Sequence, residues 1–194
     1  MSSREAILKA VRDNAPATIK PKPSLEMAHA SYENINEKFS ASLTSVGGNA
    51  VFAESFEDVK AYIKEHYPEA KVIVSNIEAL DVGTRDANAT DDPHTLQDVD
   101  LAIIQGEFAV AENGAVWVKE ANTRHRALYF ITQKLMMVVP KGEIVATMHE
   151  AYERVSFGSE PFGLFISGPS KTADIEQALV IGAHGATEAC VIFV

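Results

Sequence analysis

A chain of 194 residues is long enough for one large domain, and 46% apolar with 23% charged residues supplies ample core, which excludes whole-chain disorder. With 27 acidic against 17 basic residues the formal charge is −10, a balance that repels nucleic acid and anionic membrane, so neither is expected as a partner. An anionic small ligand needs a local positive site set against that field.

The opening "MSSREAILKAVRDN" lacks the apolar core of a secretory leader, and no stretch approaches the length of a membrane span, so a cytoplasmic location is expected. Within residues 3–13, Ile7, Leu8 and Val11 fall at helical spacing, with Ser2 or Ser3 available as N-cap. The proline-rich "NAPATIKPKPSLE" that follows reads as a linker or extended arm. Residues 1–28 are therefore set apart as a helix and arm, and residues 29–194 are taken as a single α/β domain.

A second helix is predicted over residues 31–46, where Ile35, Phe39, Leu43 and Val46 share a face, and Gly47-Gly48 ends it. "NAVFA" reads as a strand. "SFEDVKAYIKEHY" reads as a helix capped by Ser55, with Asp58 three residues on, and Pro68 stops it. "KVIVS" is the next strand, and this alternation is the signature of a parallel sheet with covering helices. The acidic segment 81–98 reads as a loop with one helical turn, either functional or merely solvated.

"VDLAIIQGEFAVAENGAVWVKE" then holds three strand-like runs, with Asn113-Gly114 supplying positive φ for a hairpin turn. A short helix at residues 125–131, the strand "KLMMVVP", a helix over 143–155, the strand-like "GLFISG", the helix "TADIEQALVIG" and the strand "EACVIFV" complete the chain. The fold class is α/β: a mostly parallel sheet with covering helices and a β-hairpin insert.

The chemistry-bearing residues cluster late in the sequence. "SGPSKTAD" resembles a phosphate loop, but the second glycine is missing and Pro169 lacks an N–H, so it is not one. What survives is an expected helix N-terminus after a strand, offering N–H groups at Gly168, Ser170 and Thr172 together with the charge of Lys171. Asp174 is a further candidate ligand contact at this turn, and the alternative is self-capping by Ser170 or Thr172, with Asp174 complementing the dipole. Glu112, at the hairpin tip, is a candidate base, nucleophile or ligand contact, or a solvated turn residue. Arg126 can clamp a carboxylate or phosphate, or be an ordinary surface arginine. His184, next to Gly185 in "IGAHGATE", is a candidate acid, base or contact. Cys190, the single cysteine, reads as buried core, and no set of residues carries metal-ligand spacing.

Taken together, "FAVAENGAVWV", "RAL" and "ISGPSKTADIEQALVIGAHGATEACVIFV" resemble the lactate-utilization (LUD) domain family over roughly residues 30–194. The family's Ala-Glu-Thr/Ser-Gly is matched by Ala111-Glu112-Asn113-Gly114. Its Gly-Pro-Ser-Arg/Lys-Thr-Ala-Asp-Ile-Glu is matched from Gly168 to Glu176. Its Gly-Val-His-Gly-Pro is matched from Gly182 to Gly185, with Ala186 replacing the proline. After Arg126 the family tends to a Leu-Leu-Pro turn and a histidine, where this chain reads "YFITQKL".

The resemblance implies a fold similar to the sugar-phosphate isomerase and coenzyme A transferase superfamily. It also implies a place in oxidising L-lactate to pyruvate beside two iron–sulfur partner proteins, with no cofactor on this chain. A non-catalytic scaffold or regulator of those partners is the alternative, and a stand-alone isomerase or acyl-CoA-type enzyme is a third reading resting on fold analogy.

Overall fold

The computed structural model describes residues 3–15, 30–120, 123–155, 162–173, 179–182 and 184–194. Helix α1 (Ser3–Asp13) forms where the spacing predicts it, with Glu5 in its first turn, Arg12 in its last, and a Lys9–Asp13 ion pair at 2.6 Å. None of its residues is buried, and Ile7 and Val11 are exposed.

Helix α2 (Ile35–Ser45) starts later than the sequence suggests, because Asn34 caps it and accepts from Glu37 N at 3.2 Å. Strand β1 (Asn49–Phe52) and helix α3 (Phe56–His66) follow. Ser55 caps α3 as expected: its hydroxyl accepts from Asp58 N at 3.3 Å, while Asp58 accepts from Glu54 N at 3.1 Å.

Next come β2 (Ile73–Ser75), β3 (Leu101–Gln105), β4 (Phe108–Val110), β5 (Ala115–Lys119), α4 (Leu128–Ile131) and β6 (Lys134–Val139). The last elements are β7 (Ile144–Val145), α5 (Met148–Arg154), β8 (Gly163–Ile166), β9 (Lys171–Ala173), β10 (Leu179–Ile181) and β11 (Glu188–Phe193). A wholly parallel five-stranded sheet runs in the order β1-β11-β6-β3-β2.

Side chains alternate across this sheet. Leu101, Ile103, Met136, Val138, Cys190 and Ile192 join Val59 and Ile63 of α3 in one core cluster. Ala102, Ile104, Leu135, Met137, Val191 and Phe193 join Phe39 and Leu43 of α2 in another. Burial on both faces explains why these strands read as continuous apolar runs. Cys190 is core, as its neighbours predict, and burial pushes its thiol up to about 11.

The β4–β5 hairpin forms as expected, with Gly114 at φ +69°. Asn113 does not share that conformation; its Oδ1 instead accepts from Ala115 N at 3.1 Å. The hairpin is the centre of a second sheet, ordered β7-β4-β5-β8, in which β8 pairs antiparallel with β5 and β7 parallel with β4. Two of the expected helices are corrected here. Ile144 and Val145 are strand, because Ala109 and Val110 offer them ladder partners, and helix begins only after the Thr147 cap.

Residues 172–182 do not begin as a helix. Lys171–Ala173 and Leu179–Ile181 pair as an antiparallel ribbon, and residues 174–178, Asp174 among them, lie outside the described residues.

The 81–98 segment holds two 3-10 turns, Ala87–Ala89 and Pro93–Leu96, which bury Ala87 and Leu96 in the core. It is tied down from outside: Arg124 N donates to Asn88 Oδ1 at 2.7 Å, and His125 Nε2 donates to Thr90 O at 2.7 Å.

Candidate functional site

Two turns meet beside β8, an edge strand of the second sheet among the described residues. Residues 167–170 form the first, with Gly168 at φ +71°, which glycine adopts without strain. The position is crowded as well: a Cβ on Gly168 would lie 2.7 Å from the Val46 carbonyl oxygen. Residues 184–186 lie in the second turn, which leads into β11. A Cβ on Gly185 would fall 2.8 Å from Phe130 O and 3.0 Å from Ser170 Cβ, so glycine there lets the second turn close on the first. Backbone bonds lock the two together: Ser170 N donates to Ala186 O at 2.8 Å, and Gly182 N donates to Ser170 O at 2.9 Å.

Between these turns and β8 lies a cavity of about 250 Å³. Gly168, Ser170, His184 and Gly185, four of the residues singled out from sequence, all line it. His184 is exposed and Ser170 half-buried. Lys171 is exposed, and its Nζ lies 3.3 Å from the position a Cβ would take on Gly168, so its ammonium reaches the same turn. A hydroxyl, an imidazole and an ammonium on adjoining turns suit a small anion such as a carboxylate, with the imidazole able to exchange a proton.

The expected helix-terminus contribution is replaced. Thr172 belongs to the strand β9, so the N–H groups of a helix start are not what this turn offers.

Two candidates stand elsewhere. Glu112 does not line the cavity: its Oε2 accepts from Met148 N at 2.8 Å, satisfying the first N–H of α5. Arg126 has already found a carboxylate within the chain, since its Nε and Nη2 donate to the two oxygens of Glu120 at 2.7 and 2.9 Å. Those hydrogen bonds hold the Glu120 carboxyl below the usual carboxylate range. The Arg126 guanidinium also sits 4.6 Å from the centre of the Phe162 ring, which stacks parallel to Tyr129 at 6.3 Å. Tyr129 lines the cavity, so Arg126 is linked to its wall through Phe162.

Sequence reasoning missed that wall. Tyr129, Phe130, Leu135, Leu164 and Ser167 line the cavity, yet each reads locally as core or edge. Ser167, beside Gly168, is the one whose position in "ISGPS" gave a signal; its hydroxyl donates to Asn113 O at 2.8 Å. The Tyr129 hydroxyl donates to Lys119 O at 3.0 Å, and burial raises its pKa, so it stays protonated at neutral pH.

Among known proteins, the LUD domain profile matches residues 93–194, just over half of the chain. Lactate utilization protein C of Shouchella clausii is 35% identical over 100 residues, covering 49% of this chain and 44% of that protein. The same-named protein of Geobacillus kaustophilus is 34% identical over 104 residues, covering 50% and 43%. That of Exiguobacterium sp. is 26% identical over 174 residues, covering 80% and 76%. The matched stretch thus spans less than half the length of the first two relatives. A crystal structure of a DUF162 family protein from Deinococcus radiodurans aligns over 82% of this chain and 96% of that one. Its TM-score is 0.63 at 19% identity, a likeness of fold.

Proposed function

The chain belongs to the LUD-domain family, and from that premise we propose that it is a lactate-utilization component that binds a small carboxylate in the cavity beside β8. The observation that carries this reading is that Gly168, Ser170, His184 and Gly185, from two turns, line one cavity, with Lys171 Nζ alongside Gly168. In the proposal Lys171 and the Ser170 hydroxyl hold the carboxylate, and His184 exchanges a proton with the neighbouring hydroxyl or carbonyl. Glu112 takes no part in the chemistry; it positions α5 against the hairpin.

Oxidation of L-lactate to pyruvate releases two electrons and two protons, and the electrons need an acceptor. The single cysteine, Cys190, is buried and cannot supply the thiolates of an iron–sulfur cluster. In the proposal, as the family resemblance implies, the electrons pass to two partner iron–sulfur proteins, and the oxidation belongs to that assembly in the cytoplasm. No helix among the described residues is long and apolar enough to cross a membrane.

Calorimetric titration with L-lactate and pyruvate tests this reading. Binding weakened by Lys171→Ala and by His184→Gln is expected. Absence of binding by either acid, with growth on lactate unaffected by Lys171→Ala, overturns it.

A second reading has its own observation. Helix α1 leaves Ile7 and Val11 exposed, a face suited to a partner, and this favours a scaffold for the iron–sulfur proteins. Co-purification with those proteins that is lost on deleting residues 1–28, while carboxylate binding persists, supports it. Undiminished co-purification removes it.

A further inference from the structure

Lactate and pyruvate are small for this cavity. Its volume is about 250 Å³, more than a three-carbon acid occupies. The polar groups that can hold a carboxylate come from the two turns, at Ser170 and His184. The remaining wall is apolar: Leu135 from β6, Leu164 from β8, and Tyr129 with Phe130 from α4.

The Tyr129 hydroxyl is already committed to the Lys119 carbonyl, so this aromatic faces the cavity as an apolar body. Water left against Leu135 and Leu164 beside a bound three-carbon acid has few hydrogen-bonding partners there, and displacing it is favourable.

We infer that the cavity selects 2-hydroxy or 2-oxo acids whose side chain is larger than the methyl group of lactate, the branched and aromatic members included. This rests on the carboxylate-binding reading above and extends it. Selection comes from the side chain, because the turn residues make the same contacts to every member of the series.

The test is a calorimetric series on the full-length chain: L-lactate, L-2-hydroxybutyrate, L-2-hydroxyisocaproate and L-phenyllactate. Each added methylene is expected to raise affinity roughly fourfold, which is ~0.8 kcal/mol per buried CH₂ written as a ratio. Over the aliphatic members the gain reaches tens of fold. Phe130→Ala is expected to reduce that gain; Phe130 is 50% exposed, so the truncation does not threaten folding.

If lactate binds but affinity stays flat or falls as the side chain grows, this inference is overturned and the carboxylate-binding reading stands. If no member binds, the carboxylate reading itself falls, and the inference with it. A gain that survives Phe130→Ala in full also overturns it, since the wall would then not be what the side chain meets.

Discussion

Replacing Gly168 with alanine probes the turn on which the site depends, and Gly142 supplies its control. Both glycines hold left-handed φ, +71° and +81°, but a Cβ at Gly142 meets nothing within 4 Å, whereas one at Gly168 meets Val46 O at 2.7 Å. The left-handed conformation costs a non-glycine residue about 1–2 kcal/mol. Alanine recovers about 0.4–1 kcal/mol of that by restricting the unfolded chain.

Gly142→Ala is therefore expected to destabilise by about 0.5–1 kcal/mol. Gly168→Ala carries the same cost plus an overpacking penalty of about 1–3 kcal/mol, because the atom it strikes is backbone and not the end of a flexible side chain. Its total is about 2–4 kcal/mol. Urea unfolding followed through the single tryptophan, Trp117, measures both as shifts in midpoint at constant slope. Equal losses at the two positions would refute the close approach of residues 167–170 to Val46.

Glu112→Ala removes the acceptor for Met148 N and is expected to cost about 1 kcal/mol, as for loss of a capping group, with Glu112→Gln recovering most of it and carboxylate affinity unchanged in both. A drop in affinity would return Glu112 to the site. The folded-state pKa of Cys190 is raised from 9.0 to about 11, so its contribution to stability is fully present below pH 9 and is lost as pH rises towards 11. Urea midpoints measured between pH 8 and 11 should fall with that sign, and less steeply in Cys190→Ala. In Arg126→Ala the Glu120 carboxyl should titrate back up towards the ordinary carboxylate range by NMR, and carboxylate affinity should fall through the loosened Phe162–Tyr129 wall; an unmoved Glu120 titration would break that account.

Much of the parallel sheet was readable because its determinants are local. Apolar runs such as "LAIIQ" and "KLMMVV" are buried on both faces, and Ser55 with Asp58 marks the start of α3 within four residues. The helix expected at residues 143–155 failed at its start for a non-local reason. Ile144 and Val145 fit a helical stripe, but Ala109 and Val110, far upstream, pair with them as strand. The two ends of the helix expected at residues 172–182 failed in the same way. "TADIEQALVI" is rich in good helix formers, yet Gly182 N donates to Ser170 O across the base of the ribbon, and Ser170 N donates to Ala186 O in the turn before β11.

The site divides along the same line. Gly168, Ser170, His184 and Gly185 line one cavity, and glycine at 168 and 185 permits the close approach of the turns there. Glu112 and Arg126 looked equally apt for chemistry, and nothing local showed that Met148 N and Glu120 would claim them. Losing those two leaves the acidic chain with little to offset its own field at the cavity. A helix terminus would have supplied fixed partial charge there. With a strand in its place, the proposed anion site relies on Lys171 and the polar side chains of two turns. Weak attraction to the carboxylate common to every candidate ligand leaves discrimination to the part that differs, which is why the apolar wall, and not the charge, is where the specificity of this cavity is sought.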